Sequence, residues 1–355
     1  MLSADTASHF AERIRTAAAE DRPLRIRGGG SKDFYGQSLE GEVLQTSGLA
    51  GVTSYEPSEL VVTAGAGTPL AELEALLAAQ GQCLPFEPPH FGGGATVGGL
   101  VASGLSGPAR ASSGAVRDYV LGVKFINGKG ELLTFGGQVM KNVAGYDVSR
   151  LMTGAMGTLG LLVEVSLKVL PVALAENTLT FEMDEATALK QLNLWGAQPL
   201  PVNASCWHAG HLHVRLRGAA AAVSAARTAM GGEQQQDTAL WQTLREQAHP
   251  FFALQRGESL WRMGLPDTAP PLPLGETLIE WGGAQRWLKL PAADVVRLRV
   301  AATAASGHAT LFRAGEKSCD VFTPLAGPLA RIHRSLKREF DPAGIFNRGR
   351  LYPGF

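Results

Sequence analysis

At 355 residues the chain exceeds what one hydrophobic core normally supports, so two domains are expected. Hydrophobic residues make up 45% and charged residues 18%, a globular balance that excludes disorder as the main state. With 32 basic and 32 acidic side chains the net charge is zero, which leaves no electrostatic footprint for nucleic acid or an anionic membrane surface.

In chain order, the first twenty residues alternate charge and apolar side chains at helical spacing and lack the apolar core of a secretory signal, so they predict a helix. Residues 24–26 form a short alternating strand that runs into Arg27-Gly28-Gly29-Gly30-Ser31-Lys32. Residues 60–63 form a β-branched strand that runs into Gly65-Ala66-Gly67. Pro69 then stands at a first helical position, and Leu70, Leu73, Leu76 and Leu77 repeat at helical spacing until Gly81. Residues 120–126 and 131–135 flank Asn127-Gly128-Lys129-Gly130, a strong hairpin signal. A strand-like run over 159–170 ends at Pro171, which places a domain boundary near there. That run belongs to the most apolar stretch, residues 151–170, where Glu164 and Lys168 exclude a membrane span, so membrane attachment would need a partner. Beyond it the pattern predicts strands around 212–216 and 278–290, a Pro-rich loop at 266–273, and helices over 219–230 and near 325–340. Cys83, Cys206 and Cys319 are scattered and odd in number. They suit neither a disulfide framework nor an iron–sulfur cluster, and they point to a reducing, cytoplasmic setting.

Glycine is the anomaly, with many of the 43 glycines between Gly28 and Gly160. Consecutive glycines in RGGGSK let successive N–H groups face one concavity, as a pyrophosphate requires, while Arg27 and Lys32 add charge. A plain surface turn has about even weight on that motif alone. Gly65-Ala66-Gly67 mimics a dinucleotide fingerprint but has Leu70 where the third Gly belongs, and Glu87 is a poor ribose acid, so the turn reads as structural. The run GGGATVGGLVASGLSG, residues 92–107, is so small-sided that backbone could lie flush against a flat ring, with Thr96, Ser103 and Ser106 offering hydrogen bonds to its edge. Tight packing of turns against a helix explains it equally well. Gly114, Asp118 and KNVAGYDVSRLMTGAMGTLG follow.

Taken in order, RGGGSK, YEPSELVVTAGAGTPLAEL, ATVGGLVASGLSG, SGAVRDYVLGVKFINGKGE and KNVAGYDVSRLMTGAMGTLGLLVEVSLKV resemble the vanillyl-alcohol-oxidase (PCMH-type) FAD-binding family over roughly residues 20–172. Within it the chain is similar to the glycolate oxidase and D-lactate dehydrogenase branch. Its closing FDPAGIFNRGRLYP also resembles that branch's signature, with Arg348 in place of the usual Pro. The resemblance implies an α+β fold: a two-subdomain PCMH-type FAD-binding domain over 1–172, then a smaller domain of antiparallel sheet plus helices over 173–355. It implies that Arg27, Gly28, Gly29, Gly30, Ser31 and Lys32 hold the pyrophosphate. Thr96, Val97, Gly98, Gly99, Ala102, Ser103, Ser106 and Gly107 would border the flavin, with Asp118 nearby. Gly157, Thr158, Leu159, Gly160, Leu161 and Val163 would complete the cradle. Ser31 stands where some members attach FAD through His, so non-covalent FAD is expected. His90 reads as an ordinary loop histidine.

Catalytic members of the branch carry HxGDGNxH as a metal motif. Here Trp207-His208-Ala209-Gly210-His211-Leu212-His213 is two residues shorter and lacks its Asp and Asn. His211 and His213 would share a strand face and are weak metal candidates without an obvious third ligand. No residue stands out as catalytic. The resemblance therefore implies an FAD-binding subunit of a glycolate oxidase or dehydrogenase complex, oxidising glycolate to glyoxylate. A sister FAD-binding subunit and an iron–sulfur subunit would be its partners. The alternatives are a stand-alone dehydrogenase of another 2-hydroxy acid such as D-lactate, or a non-catalytic companion subunit.

Overall fold

The structure is a computed structural model that describes residues 4–137, 146–235 and 239–355. Its first half opens with helix α1 (Ala4–Ala19) and a parallel pair of strands, β1 (Leu24–Arg27) and β2 (Glu42–Gln45). A five-stranded antiparallel sheet follows. Its chain-order strands are β3 (Val52–Glu56), β4 (Val61–Gly65), β6 (Val120–Ile126), β7 (Leu132–Gly136) and β8 (Leu161–Lys168), laid out as β3-β4-β8-β6-β7. Two short strands, β5 (Gln82–Cys83) and β9 (Leu170–Pro171), pair beside it, and Pro171 is the last residue of β9.

Helices α2 (Leu70–Ala78) and α3 (Val97–Ser103) cover this sheet, with short helices α4 (Arg110–Ser113) and α5 (Val148–Met152) nearby. Leu70, Leu73 and Leu77 of α2 are fully buried, the single apolar stripe that the leucine spacing requires. Pro69 sits at the N-cap, one position before the first helical residue. The β6–β7 hairpin turns where its sequence says it should, because Asn127 Oδ1 accepts from the N–H groups of Lys129 and Glu131 at 2.9 and 3.0 Å.

The second half is one eight-stranded antiparallel sheet. It comprises β10 (Ala175–Glu182), β11 (Val202–His208), β12 (His211–Gly218), β13 (Glu233–Gln234), β14 (Ser259–Gly264), β15 (Thr277–Glu280), β16 (Gln285–Leu290) and β17 (His308–Arg313), in the order β13-β10-β12-β11-β15-β16-β14-β17. Helices α6 (Glu185–Gly196), α7 (Ala220–Met230), α8 (Leu240–Arg245) and α9 (Val295–Ala304) accompany it, whereas α10 (Gly327–Phe340) packs on the first half, with Leu336 and Phe340 against its core. Asp184 starts α6 by accepting from Thr187 N at 2.8 Å. No helix among the described residues is long and apolar enough to cross a membrane.

The halves meet through apolar packing, ion pairs and hydrogen bonds such as Trp281 Nε1 to Gly107 O and Phe91 N to Glu246 Oε2. Tyr35, Leu105 and Met156 pack with Cys206, Trp241, Leu260, Trp287 and Phe312 in one buried cluster. Glu87 Oε1 also accepts from Arg215 Nη2 at 2.6 Å and Arg217 Nη1 at 3.2 Å, and the Arg215 side chain is only 4% exposed. After α10 the chain continues along the first half. Leu24 N donates to Ile345 O and Asn347 N to Leu24 O, so residues 345–347 lie along β1, and Ile345 and Phe346 are buried against Phe10, Ile14, Leu44 and Leu161.

Candidate functional site

Between β1, α3 and the segment before β8 lie two contiguous cavities, which share Ile26, Gly28, Gly99, Ala102, Met156 and Asn347 as walls. The glycine loop crosses the residue 92–94 loop so closely that a Cβ on Gly29 would overlap the carbonyl oxygen of Gly94. Only two glycines allow this crossing. The α3 terminus is fixed in turn by Gly98 N donating to Ala66 O at 2.7 Å, Val97 N to Thr68 O at 3.0 Å, and Gly99 N to the capping Thr96 Oγ1 at 3.2 Å. The Gly65-Ala66-Gly67 turn is thus a structural support, and Glu87 is occupied by two arginines.

Lys32 is the electrostatic feature of the cavity wall. It is largely buried, and its Nζ has two long hydrogen bonds, 3.4 Å each, to Ser31 Oγ and His90 O. Among the described residues no carboxylate lies in ion-pair range of it. Burial lowers its pKa to about 8, with Glu246 opposing the shift. A confined ammonium with spare donors beside successive glycine N–H groups suits a phosphate. Arg27 is less free, because its Nε and Arg25 Nη2 both donate to Asp33 Oδ2 at 2.8 Å.

The cavities bring together Arg27, Gly28, Gly29, Gly30, Ser31, Lys32, Thr96, Gly98, Gly99, Ala102, Ser103, Gly157 and Gly160. Other candidates stand behind or away from this wall. Val97 is fully buried in the core, and Leu159, Leu161 and Val163 belong to the packing around β8. Thr158 Oγ1 donates to Ala155 O, and Asp118 accepts from Ala115 N in a local turn. Ser106 and Gly107 line a different cleft, against the second sheet. Residues 141–145 of the KNVAGYDVS run lie outside the described residues. His90 bridges to Glu74 Oε2 at 2.9 Å, as a loop histidine does.

Sequence reasoning missed the tail as part of the wall. Asn347 Nδ2 donates to Met156 O at 2.6 Å while its Oδ1 accepts from Ile26 N at 2.8 Å, which ties β1 to the Gly157 loop. Arg350 donates to the carbonyls of Gln37, Lys32 and Asp33 from beneath the glycine loop, and burial pushes its pKa down to about 10. Buried Lys337 donates to Thr158 O, Phe346 O and Asp341 Oδ2 at 2.8, 2.8 and 2.7 Å. The signal was FDPAGIFNRGRLYP, whose polar residues have no helical or strand period of their own to explain them.

In the second half His211 and His213 do share a face of β12, with ring centroids 6.5 Å apart. His213 Nδ1 bonds to Thr180 Oγ1 at 2.9 Å, and burial first, then the neighbouring His211, lowers its pKa to about 4. No group of three or more metal-ligating side chains occurs among the described residues.

A family described as an FAD binding domain matches residues 1–136. The chain is 48% identical over 349 residues, 98% of each chain, to glycolate oxidase subunit GlcE of Escherichia coli (strain K12). It is also 31% identical over 161 residues to a D-lactate dehydrogenase of Archaeoglobus fulgidus, covering 44% of this chain and 35% of that one. Among solved structures, an alkyldihydroxyacetonephosphate synthase superposes with a TM-score of 0.65 at 16% identity, over 97% of this chain and 75% of that one, which shows a common fold.

Proposed function

The chain belongs to the family of glycolate oxidase subunit GlcE and carries its FAD-binding domain, and from that premise we propose that it is the FAD subunit of a complex oxidising glycolate to glyoxylate. FAD is held without a covalent bond, since Ser31 offers no ring nitrogen at the glycine loop. The observation that carries the reading is the crossing of Gly29 over Gly94 beside the confined Lys32 ammonium, in a cavity walled by small residues. Lys32 and the N–H groups of residues 28–31 take the pyrophosphate. Gly98, Gly99 and Ala102 lie against the flavin, and Asn347 and Arg350 hold the loops in place. FAD, when bound, supplies the two-electron acceptor.

The same reading divides the chain near residue 172, with residues 327–350 returning to the cofactor-binding part. Electrons leave through a sister FAD-binding subunit and an iron–sulfur subunit, because the chain's own cysteines are dispersed. The complex is cytoplasmic or peripheral to the membrane through those partners. The sparse histidine motif of β12 supports one second reading, a companion subunit that binds FAD without turnover.

An absorbance spectrum of the purified chain before and after acid precipitation, followed by anaerobic glycolate, tests these points. A flavin spectrum released by acid and bleached by glycolate is the expected result. A flavin that stays oxidised favours the companion role, and a colourless chain overturns the cofactor assignment.

A further inference from the structure

Helix α10 carries an apolar stripe of which half lacks a partner in this chain. Leu329, Ile332, Leu336 and Phe340 follow one another at helical spacing and so share one flank. Leu336 and Phe340 pack on the core of the first half, whereas Leu329 and Ile332, nearer the N-terminus, are 51% and 55% exposed. Arg331, Arg334 and Arg338 repeat at the same spacing and, at about 100° per residue, fall on the opposite flank. All three are exposed. Arg338 Nη2 has one long bond, 3.4 Å, to Ser335 Oγ, and none of the three forms an ion pair among the described residues. Between the flanks, Ser335 and Glu339 face outward.

Helix α9 offers a contrast. It also exposes two apolar side chains, Val296 and Val300, but its arginines are spent within the chain: Arg297 Nη2 donates to Pro273 O at 3.1 Å and Arg299 Nη2 to Phe322 O at 3.0 Å. On α10 an unfinished apolar stripe and unspent positive charge coincide. Their complement is an acidic surface with an apolar centre. A bilayer fits poorly, because laying this face on lipid would press Ser335 and Glu339 into it and set Glu339 against anionic headgroups. A protein surface can answer each group separately.

Resting on the complex reading above, we propose that α10 is the docking helix of this chain and receives a carboxylate-bearing face of a partner subunit of that complex. Leu329 and Ile332 form the apolar centre of the contact, and Arg331, Arg334 and Arg338 pair with the partner's carboxylates. None of these five side chains lines the cofactor cavities.

The test is the full-length chain, tagged and co-expressed with the sister FAD-binding subunit and the iron–sulfur subunit, with the recovered complex quantified at low and high salt. Wild type should hold its partners at low salt and release a large part of them at high salt, since exposed ion pairs are screened. The triple variant Arg331→Ala/Arg334→Ala/Arg338→Ala and the double variant Leu329→Ser/Ile332→Ser should each weaken assembly about tenfold or more. Melting temperature and flavin per chain should stay at the wild-type values, which separates lost docking from lost folding. Assembly of both variants at wild-type strength, or assembly indifferent to salt, overturns the docking face and leaves the complex reading standing. A wild-type chain that recovers neither subunit sinks the complex reading and the proposal with it. Arginine-dependent sedimentation of the lone chain with phosphatidylglycerol vesicles would give the face to a bilayer and overturn the assignment to a subunit.

Discussion

Gly29 and Gly99 both carry no side chain, yet for different reasons. A Cβ at Gly29 meets backbone that cannot yield, whereas a Cβ at Gly99 would have only Thr96 Oγ1 near it, at 3.2 Å, and would point into the cavity. Gly29→Ala should therefore lower the melting temperature and release flavin together. Gly99→Val should release flavin with little change in melting, as read by absorbance per chain after desalting; retained stoichiometric flavin in both variants would refute the cradle. The glycine clusters were legible because only glycine tolerates such approaches, so composition alone marked the loops. Lys32 was legible as a charge beside them. Glu280 was not, because a carboxylate in an apolar strand carries no mark of its hydrogen-bond partners. Its pKa is raised from 4.5 to about 7 by burial. A carboxyl with a raised folded pKa contributes stability that is complete below the unfolded value and is lost as pH rises through about 7. That loss amounts to on the order of 3 kcal/mol for a group so fully buried. Denaturant midpoints of wild type should fall between pH 5 and 7.5, and Glu280→Gln should flatten the fall.

At the scale of elements, the readable ones had a period or a turn signal: the α2 leucine stripe, the Asn127 hairpin, and α10, predicted from residue 325 and observed as Gly327–Phe340. Strands β14 and β17 were missed, being buried on both faces and so without alternation. The tail motif was recognised as a signature, but its work is done by contacts such as Asn347 with Met156, which span 191 residues and leave no local pattern. Its anchor is Lys337, and removing that ammonium leaves Asp341, which is 1% exposed, without a counter-charge and with only the N–H groups of Ile345 and Phe346 as donors. Lys337→Met should cost about 3–5 kcal/mol in denaturant unfolding, typical of a broken buried pair, and should lower flavin retention. Asp341→Asn added to it should recover part of the loss.

Across the whole molecule, two sheets of different strand order meet through an apolar cluster, an ionic knot at Glu87 and hydrogen bonds such as Phe91 N to Glu246 and Trp281 Nε1 to Gly107 O. Glu87 serves both sides of that knot: Oε2 accepts from Ala109 N at 3.1 Å and Oε1 from the arginines of β12. Glu87→Ala leaves Arg215 buried and unpaired, at about 3 kcal/mol. Calorimetry should then show the second sheet melting ahead of the first, where wild type shows one transition; an unchanged single endotherm would remove the knot from the account of how the halves hold together. The α+β character was readable from the mixture of strand and helix patterns along the chain. The meeting of the halves was not, because Glu87 and Arg215 announce themselves only once the fold has put them side by side.

The return of residues 341–350 to β1 also orders events in time. Synthesis delivers the glycine loop more than 300 residues before Asn347 and Arg350, which brace it. A nascent chain thus presents an unbuckled pocket throughout its emergence from the ribosome, and cofactor uptake follows translation instead of guiding it.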